Sequence, residues 1–228
     1  PEEAGGLTMS AAVQASASQK RPSDATVIVV KLGGSIVRSG ALPRWLDAIA
    51  HAHPPVVVVP GGGALADEVR QCQHQLGFGE ATAHRMALLA MDQLAWAIAG
   101  LRPGFEVGTT LQDLRGIHQR GHLAVWAPSA FLAGRTDVEP TWRLTSDSLA
   151  LWLAGKLGAR SCCVVKSAPI ARGTLSADVL SREGIVDGAF PSMLAETGIA
   201  CSVFGPGDEK SLTAFLTRGT AAPNPITG

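Results

Sequence analysis

Cysteine is scarce in this chain of 228 residues. Cys72, Cys162, Cys163 and Cys201 show no Cys-x-x-Cys spacing and no histidine at ligand distance, which speaks against a zinc site and a disulfide framework. Cys162 and Cys163 are neighbours in an apolar run, where side chains alternate between faces, so they read as buried free thiols. Such usage fits a reducing cytoplasm. An excess of charge is also lacking, with Lys+Arg and Asp+Glu at 19 each. No broad basic field therefore draws nucleic acid or an anionic membrane, and any anion site has to be local. No apolar run reaches the roughly 18 residues of a membrane-spanning helix. The first 25 residues lack the basic segment and apolar core of a secretory signal. Their Ala, Ser, Gln and Gly content marks 1–25 as a disordered segment.

Against these absences, three stretches stand out. The first is Thr26-Val-Ile-Val-Val-Lys-Leu-Gly-Gly-Ser35. Its β-branched run reads as a strand buried on both faces of a parallel sheet. Lys31 closes that strand, and ligands of open α/β sheets gather beyond carboxyl strand ends. Gly33 and Gly34 let backbone N–H groups approach an anion with no Cβ in the way. A tight turn beside a lysine that snorkels to solvent accounts for the same residues equally well.

The second stretch is Val56–Val59 running into Pro60-Gly61-Gly62-Gly63. Leu65, Val69, Cys72 and Leu76 then recur at helical spacing, and Gly77 stops the helix. The unit offers free amides and a helix N-terminus to an anion. It spells neither Gly-x-Gly-x-x-Gly nor Gly-x4-Gly-Lys-Ser/Thr, so dinucleotide and P-loop folds are disfavoured. From Glu80 to Gly100 a helical pattern is apolar over most of its circumference, which suits a central helix or one covered by another subunit. His84 and Asp92 interrupt it about two turns apart and are expected on one side.

The third stretch is Thr141-Trp-Arg-Leu-Thr-Ser-Asp-Ser148. Thr145 or Ser146 is placed to cap the next helix, and Asp147 falls in its first turn, where the helix dipole favours negative charge. That is already a sufficient structural reason for an aspartate. Cys162–Val165 is a further strand ending in a lysine, Lys166. Two lysines in the same topological place can clamp one polyphosphate. The strands alternate with helices throughout, giving an α/β three-layer αβα sandwich with a mainly parallel central sheet. The domain is expected over 26–220, with 221–228 as a C-terminal tail.

Taken in order, Lys31-Leu-Gly-Gly-Ser35, Pro60-Gly-Gly-Gly63 and Thr145-Ser-Asp-Ser148 resemble the amino acid kinase superfamily. Within it, Pro60–Arg70, the His84–Asp92 segment, Trp142–Leu149 and Val186-Asp-Gly-Ala-Phe-Pro191 resemble the methanofuran-pathway branch, which acts on (aminomethyl)furanylmethyl phosphate. The resemblance implies a cytoplasmic, homo-oligomeric kinase using ATP and Mg2+ to turn a phosphomonoester into a diphosphate. Lys31 would neutralise charge on the transferring group, and Asp147 would organise the lysines and the phosphate array. Gly33, Gly34, Ser35, Lys166 and Ser167 would face the nucleotide. Gly61, Gly62, Gly63, Thr145 and Ser146 would face the acceptor. His84 and Asp92 would grip the furan's aminomethyl end, with Asp92 pairing the ammonium. No side chain is assigned as a metal ligand, and Mg2+ would enter with the phosphate array that Asp147 organises.

Two departures are visible. Many members carry Thr-Asp-x-Asp-Gly where this chain has Lys166-Ser-Ala-Pro-Ile170, so the nucleotide loop is altered. Others place a lysine just after a late proline, whereas Pro191 precedes Ser192, and Lys166 would replace that charge from another strand. Kinases of isopentenyl phosphate or a nucleoside monophosphate, and a non-catalytic binder of nucleotide or oxyanion, share these features.

Overall fold

The β-branched run Val27–Val30 begins the fold as the sequence pattern requires, for β1 (Ile28–Leu32) is buried along its whole length. The computed structural model describes residues 26–53 and 55–228, so the expectation for 1–25 lies outside the described residues. After β1 come α1 (Ser35–Arg38), α2 (Leu42–Ala50), β2 (Val56–Pro60), α3 (Gly63–Leu76) and α4 (Glu80–Leu101). The middle of the chain forms β3 (Phe105–Gly108), α5 (Leu111–Gln119), β4 (Leu123–Trp126), α6 (Ser129–Leu132), α7 (Ser146–Leu157) and β5 (Ser161–Val165). The last part forms β6 (Leu175–Ser176), α8 (Ala177–Arg182), α9 (Phe190–Thr197), β7 (Ala200–Phe204), α10 (Glu209–Arg218) and β8 (Pro225–Thr227).

The strands make one sheet in the order β3-β4-β2-β1-β5-β7-β8-β6, parallel except where β7 meets β8. Strand alternation divides the core in two. Val29, Val57, Val59, Cys162 and Val164 face α7 and its neighbours. Ile28, Val30, Val58, Cys163 and Val165 face the layer containing α1, α2 and α10. Helices therefore cover both faces, as the alternation of apolar strands and helices implies. Lys31 continues the Val29 row, so its side chain enters the layer that holds α7 (Ser146–Leu157). Residues 146–154 of α7 are all buried, which makes it the central helix of that layer.

The expected tail is a correction. Residues 225–227 form β8, with Ile226 buried opposite Cys201 and the buried Asn224 amide donating to the Val203 carbonyl at 3.1 Å. One isoleucine among polar residues carries no periodicity, and only pairing with a distant strand fixes it. Short β3, β6, α6 and α8 escaped the pattern for the same reason. On α4, one side packs through Ala83, Leu88, Met91, Ala95 and Ile98, while Leu89 and Trp96 are 48% and 66% exposed.

Candidate active site

Strands β1 and β5 run parallel and in register, with Leu32 opposite Val165, so their carboxyl ends coincide. Lys31 on β1 and Lys166 just past β5 thus emerge at one level, and the Lys166 N–H is fixed by the Phe204 carbonyl at 2.9 Å. Between them stands Asp147, in the first turn of α7. Lys31 Nζ lies 2.7 Å from Asp147 Oδ1, and Lys166 Nζ lies 2.7 Å from Oδ2. The Lys31, Asp147 and Lys166 side chains are only 4%, 6% and 13% exposed. Burial alone would push the Asp147 carboxyl up, but the two ammonium groups prevail and hold it at about 2. Lys166 is drawn down to about 8 by burial and then by the charge of Lys31, with Asp147 opposing. Two cations and one anion leave a net positive junction.

The two glycine loops pack against one another above this junction. A Cβ on Gly34 would fall 2.2 Å from the Gly63 nitrogen, and one on Gly61 would fall 2.6 Å from the Gly34 nitrogen. Gly63 also has φ +55°, a conformation open to glycine at little cost. Close approach, rather than flexibility, is the reason for glycine here. Two of the amides expected to meet phosphate are already used. Gly33 donates to the Val165 carbonyl at 3.0 Å and Gly61 to the Leu32 carbonyl at 2.8 Å, each extending the sheet by one bond. As amide donors to an anion, Gly33 and Gly61 are thus corrections, while Gly34, Gly62 and Gly63 stand at helix starts.

One cavity opens at the glycine loops and a second beside Lys166. One, of about 220 Å³, is bounded by Gly34, Gly61–Gly63, His84, Thr145 and Ser146, with Leu88, Met91 and Leu149 as an apolar wall. The other, of about 340 Å³, is bounded by Lys166, Ser167, Arg44, Glu209 and the Pro206–Gly207 turn. Ser35 lines the first, and its hydroxyl meets that of Ser167, which lines the second, at 2.7 Å. Most of the expected acceptor residues thus share one cavity, and Lys166 and Ser167 share the other, whereas Gly34 and Ser35, expected on the nucleotide side, line the first cavity and are corrections to that assignment. Burial holds the His84 imidazole below its ordinary value, against a backbone hydrogen bond at Thr141 that acts the other way.

Asp92 is the clear departure. Its carboxylate accepts from the Ser129 N–H at 3.1 Å and from the Ser129 hydroxyl, holding the start of α6. Eight residues of α-helix turn about 80° past two full turns, which carries Asp92 away from His84. Met91, seven residues on, returns to the cavity.

Capping of α7 is also changed. The hydroxyl of Thr145 does not accept from the helix; it donates to Asp187 at 2.8 Å. The Asp187 carboxylate also accepts from the N–H groups of Thr145 and Ser148, at 2.9 and 3.0 Å, and from the Ser148 hydroxyl. Asp187 therefore caps α7 from about 40 residues away and holds the turn bearing Asp147. The Val186–Pro191 stretch carried this residue, but no local pattern gave it a role. Arg38 also lines the first cavity, as do Asp67, Arg70 and Trp142 from the Pro60–Arg70 and Trp142–Leu149 segments, and no local pattern gave any of the four a role.

A buried Lys–Asp–Lys bridge beside paired glycine loops, at the carboxyl edge of a parallel αβα sheet, defines a class, and comparison names it. The amino acid kinase family model matches residues 26–169, and the chain belongs to that family. It is 28% identical over 140 residues to a [5-(aminomethyl)furan-3-yl]methyl phosphate kinase of Methanocaldococcus jannaschii. That match spans 60% of this chain and 63% of the relative's length. Among solved structures, uridylate kinase from Archaeoglobus fulgidus superposes with a TM-score of 0.68 at 20% identity, over 88% of this chain and 99% of that one. UMP kinase from Bacillus anthracis gives 0.66 at 15% identity, over 89% and 96%. At such identities these two attest the fold.

Proposed function

We propose that this chain is a phosphotransferase that moves the γ-phosphoryl group of ATP onto a phosphomonoester, giving a diphosphate. Its acceptor on this reading is [5-(aminomethyl)furan-3-yl]methyl phosphate. The observation that carries the proposal is the bridge Lys31–Asp147–Lys166, buried at the carboxyl ends of β1 and β5, with Lys166 also lining the second cavity. Family membership and the named relative support it.

An oxygen of the acceptor phosphate attacks the γ-phosphorus, the bond to the β–γ bridging oxygen breaks, and ADP leaves. The acceptor is already ionised and needs no general base. What remains is positioning and charge neutralisation. Lys31 and Lys166 supply fixed positive charge at the junction, and Asp147 keeps both ammonium groups aimed at one point. Ser167 and Lys166 bound the nucleotide side, while the amides of Gly62 and Gly63 face the acceptor.

Among the described residues no group of three His, Cys, Asp or Glu side chains forms a metal cage. Both Asp147 oxygens are held by ammonium groups. Magnesium fits this site as an ion held by phosphate oxygens, which is its usual habit, and it would add charge neutralisation there.

The exposed Leu89 and Trp96 on α4 support a homo-oligomer, and the reading places the enzyme in the cytoplasm. ADP release, coupled to a reporter and run with Mg-ATP against the furan phosphate, UMP and isopentenyl phosphate, tests the assignment. Turnover greatest with the furan phosphate is expected. Greater turnover with UMP or isopentenyl phosphate would reassign the acceptor, and tight Mg-ATP binding without turnover would make the chain a binder.

A further inference from the structure

The displacement of Asp92 leaves the acceptor's amine without the partner expected for it, and the cavity itself offers another. Of the residues lining the first cavity, Asp67 is the one carboxylate. It lies on α3, four residues past Gly63, hence about 6 Å along the helix axis from the glycine amides. We infer that Asp67 is the specificity-determining residue for the ammonium end of the acceptor, an assignment that rests on the reading given under Proposed function.

Phosphate at Gly62–Gly63 and ammonium at Asp67 would be held from backbone positions about one helical turn apart, a separation that a five-membered ring with a one-carbon arm on each side can bridge. The apolar wall of Leu88, Met91 and Leu149 suits the ring between them. Competing receptors for a cation are poor. His84 carries no negative charge to pair with an ammonium, and the face of Trp142 is already covered by the Arg70 guanidinium, 4.1 Å from the ring centroid.

Asp67 pairs with Arg38 and, at 3.3 Å, with Arg70. All three side chains are about half exposed, and ion pairs so exposed are worth little, so a bound ammonium can replace an arginine at the carboxylate. The arginines add an opposite constraint. Without the acceptor's own phosphate, a lone cation meets a rim with two positive groups against one negative.

The experiment compares kcat/KM for the furan phosphate and for its analogue with methyl in place of aminomethyl, in the parent enzyme and in Asp67→Asn. The parent is expected to prefer the amine, and Asp67→Asn to reduce that preference roughly 10–100-fold, the effect of losing a charge-assisted contact. A thermal melt verifies that the variant is folded, and Asp67→Glu, which keeps the charge, is expected to retain more of the preference. An unchanged ratio in Asp67→Asn, an equal loss on both compounds, or a parent enzyme indifferent to the amine would overturn Asp67's role while leaving the acceptor assignment intact. A parent enzyme that turns over neither furan compound would overturn both.

Discussion

Gly34 and Gly63 meet backbone to backbone, so that a single methyl group on Gly34 would lie 2.3 Å from the Gly63 Cα. The two glycine loops thus pack in direct backbone contact, so a displacement of one is passed to the other. Gly34→Ala is expected to cost about 1–3 kcal/mol of stability through overpacking. It should cost more in turnover, about 100-fold, because loops displaced by roughly 1 Å misalign the reacting phosphates. Thermal unfolding and steady-state kinetics measure the two effects, and a variant with parental kcat would show that the contact does not set the geometry.

Asp147 is the shared counter-ion of two buried ammonium groups. Asp147→Asn keeps the shape and removes the charge, leaving two cations close together and out of water. We expect a loss of about 3–5 kcal/mol in denaturant unfolding and a drop in kcat of roughly 100–1,000-fold. Turnover within a few-fold of the parent would remove Asp147 from the catalytic array.

Lys166 gives the enzyme a pH signature. With its ammonium held down to about 8 in the free protein, it loses its charge as pH rises through that value. Values of kcat/KM for ATP, which report the free enzyme, should fall above about pH 8. Values of kcat should fall only at higher pH, because bound polyphosphate favours the charged form. Lys166→Arg, permanently charged, should abolish the alkaline limb. A limb that survives in Lys166→Arg belongs to another group.

Asp187 acts on the same titration from outside. Its negative charge raises the Lys166 value and its oxygens cap α7. Asp187→Asn should therefore shift the alkaline limb of kcat/KM to lower pH, and Asp187→Ala should also cost about 1–2 kcal/mol through the lost cap. A stability loss with no movement of the pH profile would confine Asp187 to capping.

Ile226 tests whether the C-terminal residues belong to the domain. It is 7% exposed, on β8 between β7 and β6. Ile226→Asp should cost about 3 kcal/mol or more by burying an unpaired carboxylate. An unchanged melting temperature would return 225–227 to the status of a tail.

The amino-acid sequence alone determined the strands rich in β-branched residues, the lysines at two strand ends, the glycine loops and the aspartate at the start of α7. Each rests on local rules, such as a two-residue period, a bare Cα or a helix dipole, that operate within a few neighbours. Only the tertiary structure decided that the sheet uses the Gly33 and Gly61 amides, that Asp92 turns toward Ser129, and that Asp187 caps a helix some 40 residues before it. It alone brought Arg38, Asp67 and Trp142 to one cavity. Those outcomes depend on the rotation of a helix by fractions of a turn and on pairings across long chain separations, for which no short stretch of residues holds a pattern.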